Sequence, residues 1–186
     1  MWLWGKFCGM TDNPYELFEL PLRYCIDKSV LRERLQKLQM ATHPDRHVRD
    51  DAAARLQAAN LSARINDAYQ QLVDPVKRAE ALARIRGVCL PNADSTVSDP
   101  VLLMQQMEAR EKLASIERNK DIEALERFQD SILDEVQTVE RQLDQLFEET
   151  VIDEDALHAL LTRLRFLGKL KNECARVEAA LDDGDW

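Results

Sequence analysis

The 186-residue chain is poor in turn-forming residues, with only 5 Gly and 6 Pro. So few breaks predict long helices joined by short connections. No run of roughly 18 apolar residues occurs, so no segment reads as a helix crossing a bilayer. The opening stretch, Met1 to Cys8, is too short for the apolar region of a secretory signal and lacks a clear cleavage site. The four cysteines, Cys8, Cys25, Cys89 and Cys174, form no Cys-x-x-Cys pair. That leaves no zinc-knuckle or thioredoxin-like pattern, and idle or buried thiols are the plain reading. A basic excess is missing too. Net charge is -9, divided as +3 over residues 1–90 and -12 over residues 91–186. The acidic second half disfavours nucleic acid, whose binding rests on a basic footprint. The mildly basic first half suits an acidic protein surface.

What the chain does have is 45% apolar and 32% charged residues, enough for real cores. A short first helix is expected at Asn13–Leu20, capped by Asp12 or Asn13, with Pro14 at its first position and Pro21 at its end. Asp27 caps a second helix to about Thr42, with Leu31, Leu35 and Leu38 on one stripe. Pro44 breaks it. A third helix runs from about Asp50 to Val73, with Leu61, Ile65, Ala68 and Leu72 at helical spacing. Asp74-Pro75 opens a fourth, which ends at Gly87. Residues 89–98 read as a linker. Asp99-Pro100 opens a fifth helix to about Arg118, and a sixth covers about Lys120 to Glu149. Asp153 caps a seventh to about Leu181. The sixth carries Leu125, Phe128, Ile132, Val136, Val139, Leu143 and Leu146 as one stripe. The seventh carries Leu157, Leu160, Leu161, Leu164 and Ala175. Three single-striped helices with short turns predict an antiparallel bundle.

Two constellations fall outside this core pattern. The first is His43-Pro44-Asp45, between a basic helix and a long helix carrying Ile65-Asn66-x-Ala68-Tyr69. In a loop, the Asp45 carboxylate can make a charge-assisted pair with a partner Arg, and Pro44 lowers the entropy lost on docking. His43, Asp45 and His47 are of metal-ligand type, but no further ligand-rich segment joins them, and no metal site is expected. The second lies on the fifth helix. Leu102, Ala109, Leu113 and Ile116 share one sector and read as the bundle-facing stripe. Leu103, Met104 and Met107 cluster on another face, beside Arg110 and Glu111, with Glu108 at the edge. Phe166 likewise stands off the stripe of the seventh helix. Such residues either pack against another part of the chain or meet a partner. Methionines suit adaptable binding surfaces.

The tripeptide in its helical frame, over residues 12–88, resembles a J-domain. Leu102-Leu103-Met104-Gln105-Gln106-Met107-Glu108-Ala109-Arg110-Glu111-Lys112-Leu113, with Leu164-Arg165-Phe166-Leu167-Gly168-Lys169-Leu170, resembles the C-terminal domain of the HscB-type co-chaperones of iron–sulphur cluster biogenesis. The resemblance implies an all-α protein with a J-domain and a C-terminal three-helix domain over residues 99–186. It implies contact with an HscA-type ATPase chaperone through His43, Pro44, Asp45, Arg32, Arg34 and Lys37, and stimulation of that chaperone's ATP hydrolysis. It implies binding of an IscU-type scaffold through Leu103, Met104, Met107, Glu108, Arg110, Glu111 and Phe166. No catalytic residue, cofactor or metal in the chain itself is implied, and a cytoplasmic place is. Two departures stand out. Many J-domains have Tyr directly before the tripeptide and a basic residue before that, where this chain has Thr42 and Ala41. Residues 1–11 hold a single Cys, without the cysteine-paired metal module of some eukaryotic relatives, which points to the bacterial form. The competing expectation is a general J-protein with another client. The absence of a Gly/Phe-rich linker and of a zinc-binding cysteine region weighs against it.

Overall fold

The computed structural model describes residues 13–42, 52–88, 90 and 100–182. Among these residues all regular structure is helical. The helices are α1 (Pro14–Leu17), α2 (Lys28–Thr42), α3 (Ala52–Val73), α4 (Pro75–Ile85), α5 (Pro100–Asn119), α6 (Ile122–Glu148) and α7 (Glu154–Asp182). The chain divides into two compact units, up to Cys89 and from Leu90 onward.

The helix ends follow local chemistry. A helix leaves its first N–H groups without intrahelical acceptors, and short acidic or amide side chains supply them. Asn13 Oδ1 accepts from the backbone N–H of Tyr15 at 3.0 Å. Asp74 Oδ1 accepts from Val76 and Lys77, each at 2.9 Å. Asp121 Oδ1 accepts from Ala124 at 2.9 Å, and Asp153 Oδ1 from Ala156 at 3.0 Å. Three ends close through a residue in the left-handed region, Glu19, Gly87 and Lys120. At each, the next residue's N–H reaches back five positions, as in Asp121 to Ile116 at 3.2 Å. Lys120 thus ends α5 where Asp121 begins to cap α6, so the two helices reverse direction within a two-residue turn.

In the first unit α3 is the hub, with α1, α2 and α4 each packed on it. Ile65 and Leu72 are fully buried, with Ala68 close behind, and the Tyr69 ring stands 6.3 Å from that of Phe18. The Gln39 amide donates to Asn66 Oδ1 at 3.2 Å and ties α2 to α3 in register. A cation sits inside this unit. Arg78 is almost wholly buried, donates from Nη1 to the Leu72 carbonyl at 2.9 Å, and lies 4.6 Å from the centre of the Tyr24 ring. The Tyr24 hydroxyl donates to the Pro75 carbonyl at 3.3 Å. Nearby Tyr15 is fully buried, and its hydroxyl finds no hydrogen-bond partner among the described residues.

In the second unit α5, α6 and α7 pack on one another. Leu113 and Ile116 of α5 meet Leu125, Phe128, Ile132, Val139 and Leu143 of α6 and Leu157, Leu161 and Leu164 of α7 in the core. Each fully buried Leu or Phe contributes roughly 1.5–3 kcal/mol. Arg163 Nε pairs with Glu135 at 2.7 Å, and Gln129 donates to Glu178 at 2.9 Å, so polar ties between α6 and α7 flank the seam. Two details correct the sequence reading. The last core turn of α6 is Phe147, with Leu146 only half-buried. On α7, Ala175 is exposed, and the stripe continues instead through Leu167, Leu170, Cys174 and Val177. A helix of 3.6 residues per turn drifts against a seven-residue repeat by roughly 20° per heptad, and over the length of α7 this carries the seam away from Ala175.

One charged residue turns out to be structural. The Arg34 guanidinium donates from Nη1 to the carbonyls of both Phe18 and Glu19, which are orphaned where α1 ends. Arg34→Ala is expected to lose roughly 1.5–3 kcal/mol of unfolding free energy, the range for hydrogen bonds that involve a charged group. Arg32→Ala, at an exposed position of the same helix, is expected to stay within about 0.5 kcal/mol. Urea denaturation of both variants checks this, and equal losses would remove the capping role.

Burial pushes the Tyr15 phenol up to about 12, with the Arg78 charge opposing. Below pH ~10 the phenol is neutral in both folded and unfolded chains and contributes no pH dependence. Between pH ~10 and ~12 the unfolded chain ionises it while the folded chain holds it neutral, so stability falls as pH rises. Tyr15→Phe removes this titration. Relative to Tyr15→Phe, the wild type is expected to lose on the order of 2 kcal/mol across that window. Parallel pH profiles of unfolding free energy would refute the assignment.

Candidate functional site

The two surfaces expected from the sequence fall one in each unit's stretch of chain. In the first unit the basic helix is α2. The Asp27 carboxylate starts it, accepting from the backbone N–H and hydroxyl of Ser29 at 2.8 and 2.6 Å and from Val30 N–H at 3.2 Å. These bonds hold the Asp27 carboxyl below the usual carboxylate range. Arg32 is exposed. Lys37 is exposed and pairs with Glu33 one turn earlier at 2.5 Å, which holds the Glu33 carboxyl below its ordinary value. An exposed pair of this kind adds little to stability and is readily exchanged for a partner's carboxylate. Arg34, by contrast, is half-buried and spends its guanidinium on the end of α1. The positive charge on this face that remains available to a partner therefore rests mainly on Arg32 and Lys37.

At the C-terminal end of α2, Thr42 takes the place where many J-domains have Tyr. It is buried, and its hydroxyl donates to the Leu38 carbonyl at 2.9 Å, closing the last turn. His43, Pro44, Asp45 and His47 lie outside the described residues. Among the described residues, no group of three or more His, Cys, Asp or Glu stands in metal-binding proximity. No described helix is long and apolar enough to cross a membrane.

In the second unit the apolar residues that break the core pattern of α5 stand in solvent. Leu103 is 59% exposed, Met104 63% and Met107 56%, while Leu102 is half-buried and Leu113 is in the core. Glu108, Arg110 and Glu111 flank them and are exposed. The Lys112 ammonium turns away from this face to lie 4.7 Å from the centre of the Phe128 ring on α6. Phe166 sits on α7, the helix against which α5 packs, and is partly exposed between the buried Leu164 and Leu167. Sequence reasoning missed one member of the α5 face. Val101 is 65% exposed and stands one turn before Met104. The i, i+3 spacing was the available signal, since residues three apart are neighbours on a helix.

A third feature is a groove of about 420 Å³ between α3 and α4, lined by Asp67, Gln70, Gln71, Lys77, Glu80 and Arg84. Every lining residue is polar or charged, with both signs present, which sets it apart from a mostly apolar small-molecule site.

Comparison with known proteins agrees with this arrangement. Residues 98–175 match the family model described as the HSCB C-terminal oligomerisation domain. The chain is 38% identical over 176 residues to a co-chaperone protein HscB homolog of Shewanella oneidensis, covering 92% of this chain and 99% of that one. An HscB homolog of Shewanella baltica is 38% identical over 174 residues, with the same coverage of both chains. Among solved structures, chaperone HscB from Vibrio cholerae superposes with a TM-score of 0.80 at 36% identity, over 91% of this chain and 99% of that one. Human co-chaperone protein HscB shares the fold, with a TM-score of 0.82 at 22% identity over 92% and 85% of the two chains. A helical first unit built on α3, a second unit of three packed helices, and relatives matched over nearly their whole length lead to one conclusion: the chain belongs to the HscB co-chaperone family.

Proposed function

We propose that this co-chaperone joins two partners, an HscA-type ATPase chaperone and an IscU-type iron–sulphur scaffold, and speeds ATP hydrolysis by the first. The observation that carries the reading is the exposed Leu103, Met104 and Met107 face of α5 in a chain of this family. A three-helix unit with one filled core has no internal use for three large apolar side chains on the opposite side. Phe166, Glu108, Arg110 and Glu111 complete the docking surface. An apolar centre gives the affinity, and a charged rim orients the scaffold.

The J-domain, residues 12–88, meets the ATPase chaperone through His43, Pro44 and Asp45. Arg32 and Lys37 steer the encounter in a salt-sensitive way, and Arg34 acts mainly by holding α1 in place. Residues 89–98 join the two domains, and residues 99–186 hold the scaffold. One chain bound to both partners raises the local concentration of scaffold at the chaperone's substrate site. Hydrolysis then takes place in the chaperone, and this chain does no chemistry of its own. The cytoplasm is the expected compartment.

ATP hydrolysis by an HscA-type chaperone, with scaffold and this protein added singly and together, tests the reading. Stimulation by both together is expected to exceed the sum of the separate effects. Stimulation by this protein that the scaffold leaves unchanged would point to a J-protein with another client, and no stimulation would refute the reading altogether. Asp45→Ala is expected to abolish stimulation and leave scaffold affinity intact. Met104→Ala with Phe166→Ala is expected to weaken scaffold binding by roughly 2–4 kcal/mol, the cost of truncating interface anchors. Calorimetric titration separates the two losses, and an equal loss of both activities in either variant would contradict the division of labour.

A further inference from the structure

Sulphur is distributed unevenly in the second unit. Its only methionines are Met104 and Met107. Neither is in the core, which is built from Leu, Ile, Val and Phe with the single thiol of Cys174. Both methionines are more than half exposed, one turn apart on the outer face of α5. Residues three apart on a helix are neighbours, so the two thioethers share one patch. Cys174 is fully buried, and burial together with the neighbouring Glu173 raises its thiol, which keeps it protonated and unreactive. The oxidisable side chains of this unit are thus divided, with an inert thiol inside and two open thioethers on the docking face.

We propose that Met104 and Met107 form a peroxide-sensitive pair that releases the scaffold when oxidised. The proposal rests on the docking role given above to the α5 face. A thioether sulphur attacks one oxygen of hydrogen peroxide, an S–O bond forms as the O–O bond breaks, and the departing hydroxide takes the proton from the sulphur-bound oxygen and leaves as water. Sulphur is oxidised by two electrons and the peroxide is reduced by two. The product sulfoxide is a strong hydrogen-bond acceptor on a formerly apolar, flexible side chain. Enclosing it in an apolar contact without a donor is costly, and two such groups on one turn compound the loss. The bundle itself is spared, because no core side chain carries a thioether. Reduction by a thiol-dependent methionine sulfoxide reductase returns the sulphur to its starting state, with a dithiol oxidised to a disulfide and water released. Docking is thereby made reversible by peroxide without unfolding of the co-chaperone.

The test uses the full chain, oxidised with graded hydrogen peroxide, freed of peroxide by catalase, and then titrated into untreated IscU-type scaffold. Peptide mass spectrometry follows sulfoxide at each methionine, and circular dichroism follows helix content. Sulfoxide at Met104 and Met107 is expected to weaken binding about tenfold or more with helix content unchanged. Methionine sulfoxide reductase is expected to restore affinity, and dithiothreitol alone is not. Met104→Leu and Met107→Leu, singly and together, keep every cysteine. Their treated-to-untreated affinity ratio is expected to move toward one. Full sulfoxide at both positions with unaltered affinity would overturn the proposal. So would an equal loss in the double leucine variant, which would assign the effect to oxidisable side chains elsewhere in the chain, such as the exposed Met40 or a cysteine. Failure of the untreated wild type to bind scaffold would refute the docking role itself and the switch with it, a result distinct from both.

Discussion

A helix in a three-helix bundle has one stripe to bury, and the organisation of the second unit depends on that limit. The core is complete with Leu113 and Ile116 from α5, the seam of α6 and the seam of α7. Once it is filled, Leu103, Met104 and Met107 of α5 lie outside it and stand in water. The same limit explains the polar ties. Glu135 with Arg163 and Gln129 with Glu178 sit beside the seam, where they fix how α6 lies on α7 without entering the core. A rigid platform follows, and the α5 face is displayed on it rather than on a loop.

The first unit meets a different constraint. It is small, and its hub α3 has to hold three neighbours. Apolar contact supplies part of the hold, through Ile65, Leu72, Phe18 and Tyr69. Directional contacts supply the rest. Arg34 gathers the loose carbonyls of α1 onto α2, and Gln39 reaches across to Asn66 on α3. In this unit, charge on α2 therefore has two uses that look alike in sequence. One guanidinium is committed to the fold, while Arg32 and Lys37 remain at the surface.

This difference marks how far the sequence could be read. Caps were legible because a cap is a local contract between a side chain and the next three N–H groups, as at Asn13, Asp74 and Asp153. The α6 stripe was legible to its last turn, because the period of apolar residues is a property of one helix. Where two positions one residue apart both fit the period, as at Leu146 and Phe147, the choice is made by the neighbouring helix. The exposed α5 face was legible for the reason that created it, since Leu103, Met104 and Met107 could not share a sector with Leu113 and Ile116. Val101 was overlooked because it stands in the first turn, where the pattern has only begun. The role of Arg34 was out of reach, because its acceptors lie 15 and 16 residues away and become neighbours only when α1 folds onto α2.

The buried Arg78 has a consequence for the order in which the first unit assembles. Taking a guanidinium out of water is costly unless it is paired and hydrogen-bonded. The Leu72 carbonyl and the Tyr24 ring offset part of the cost once they are in position, and these come from separate stretches of chain. A half-assembled unit gains little by burying Arg78, and intermediates with α4 docked but the Tyr24 segment open are therefore disfavoured. Folding becomes closer to all-or-none. That suits a co-chaperone, because partly folded copies would expose apolar segments of the kind that chaperones capture.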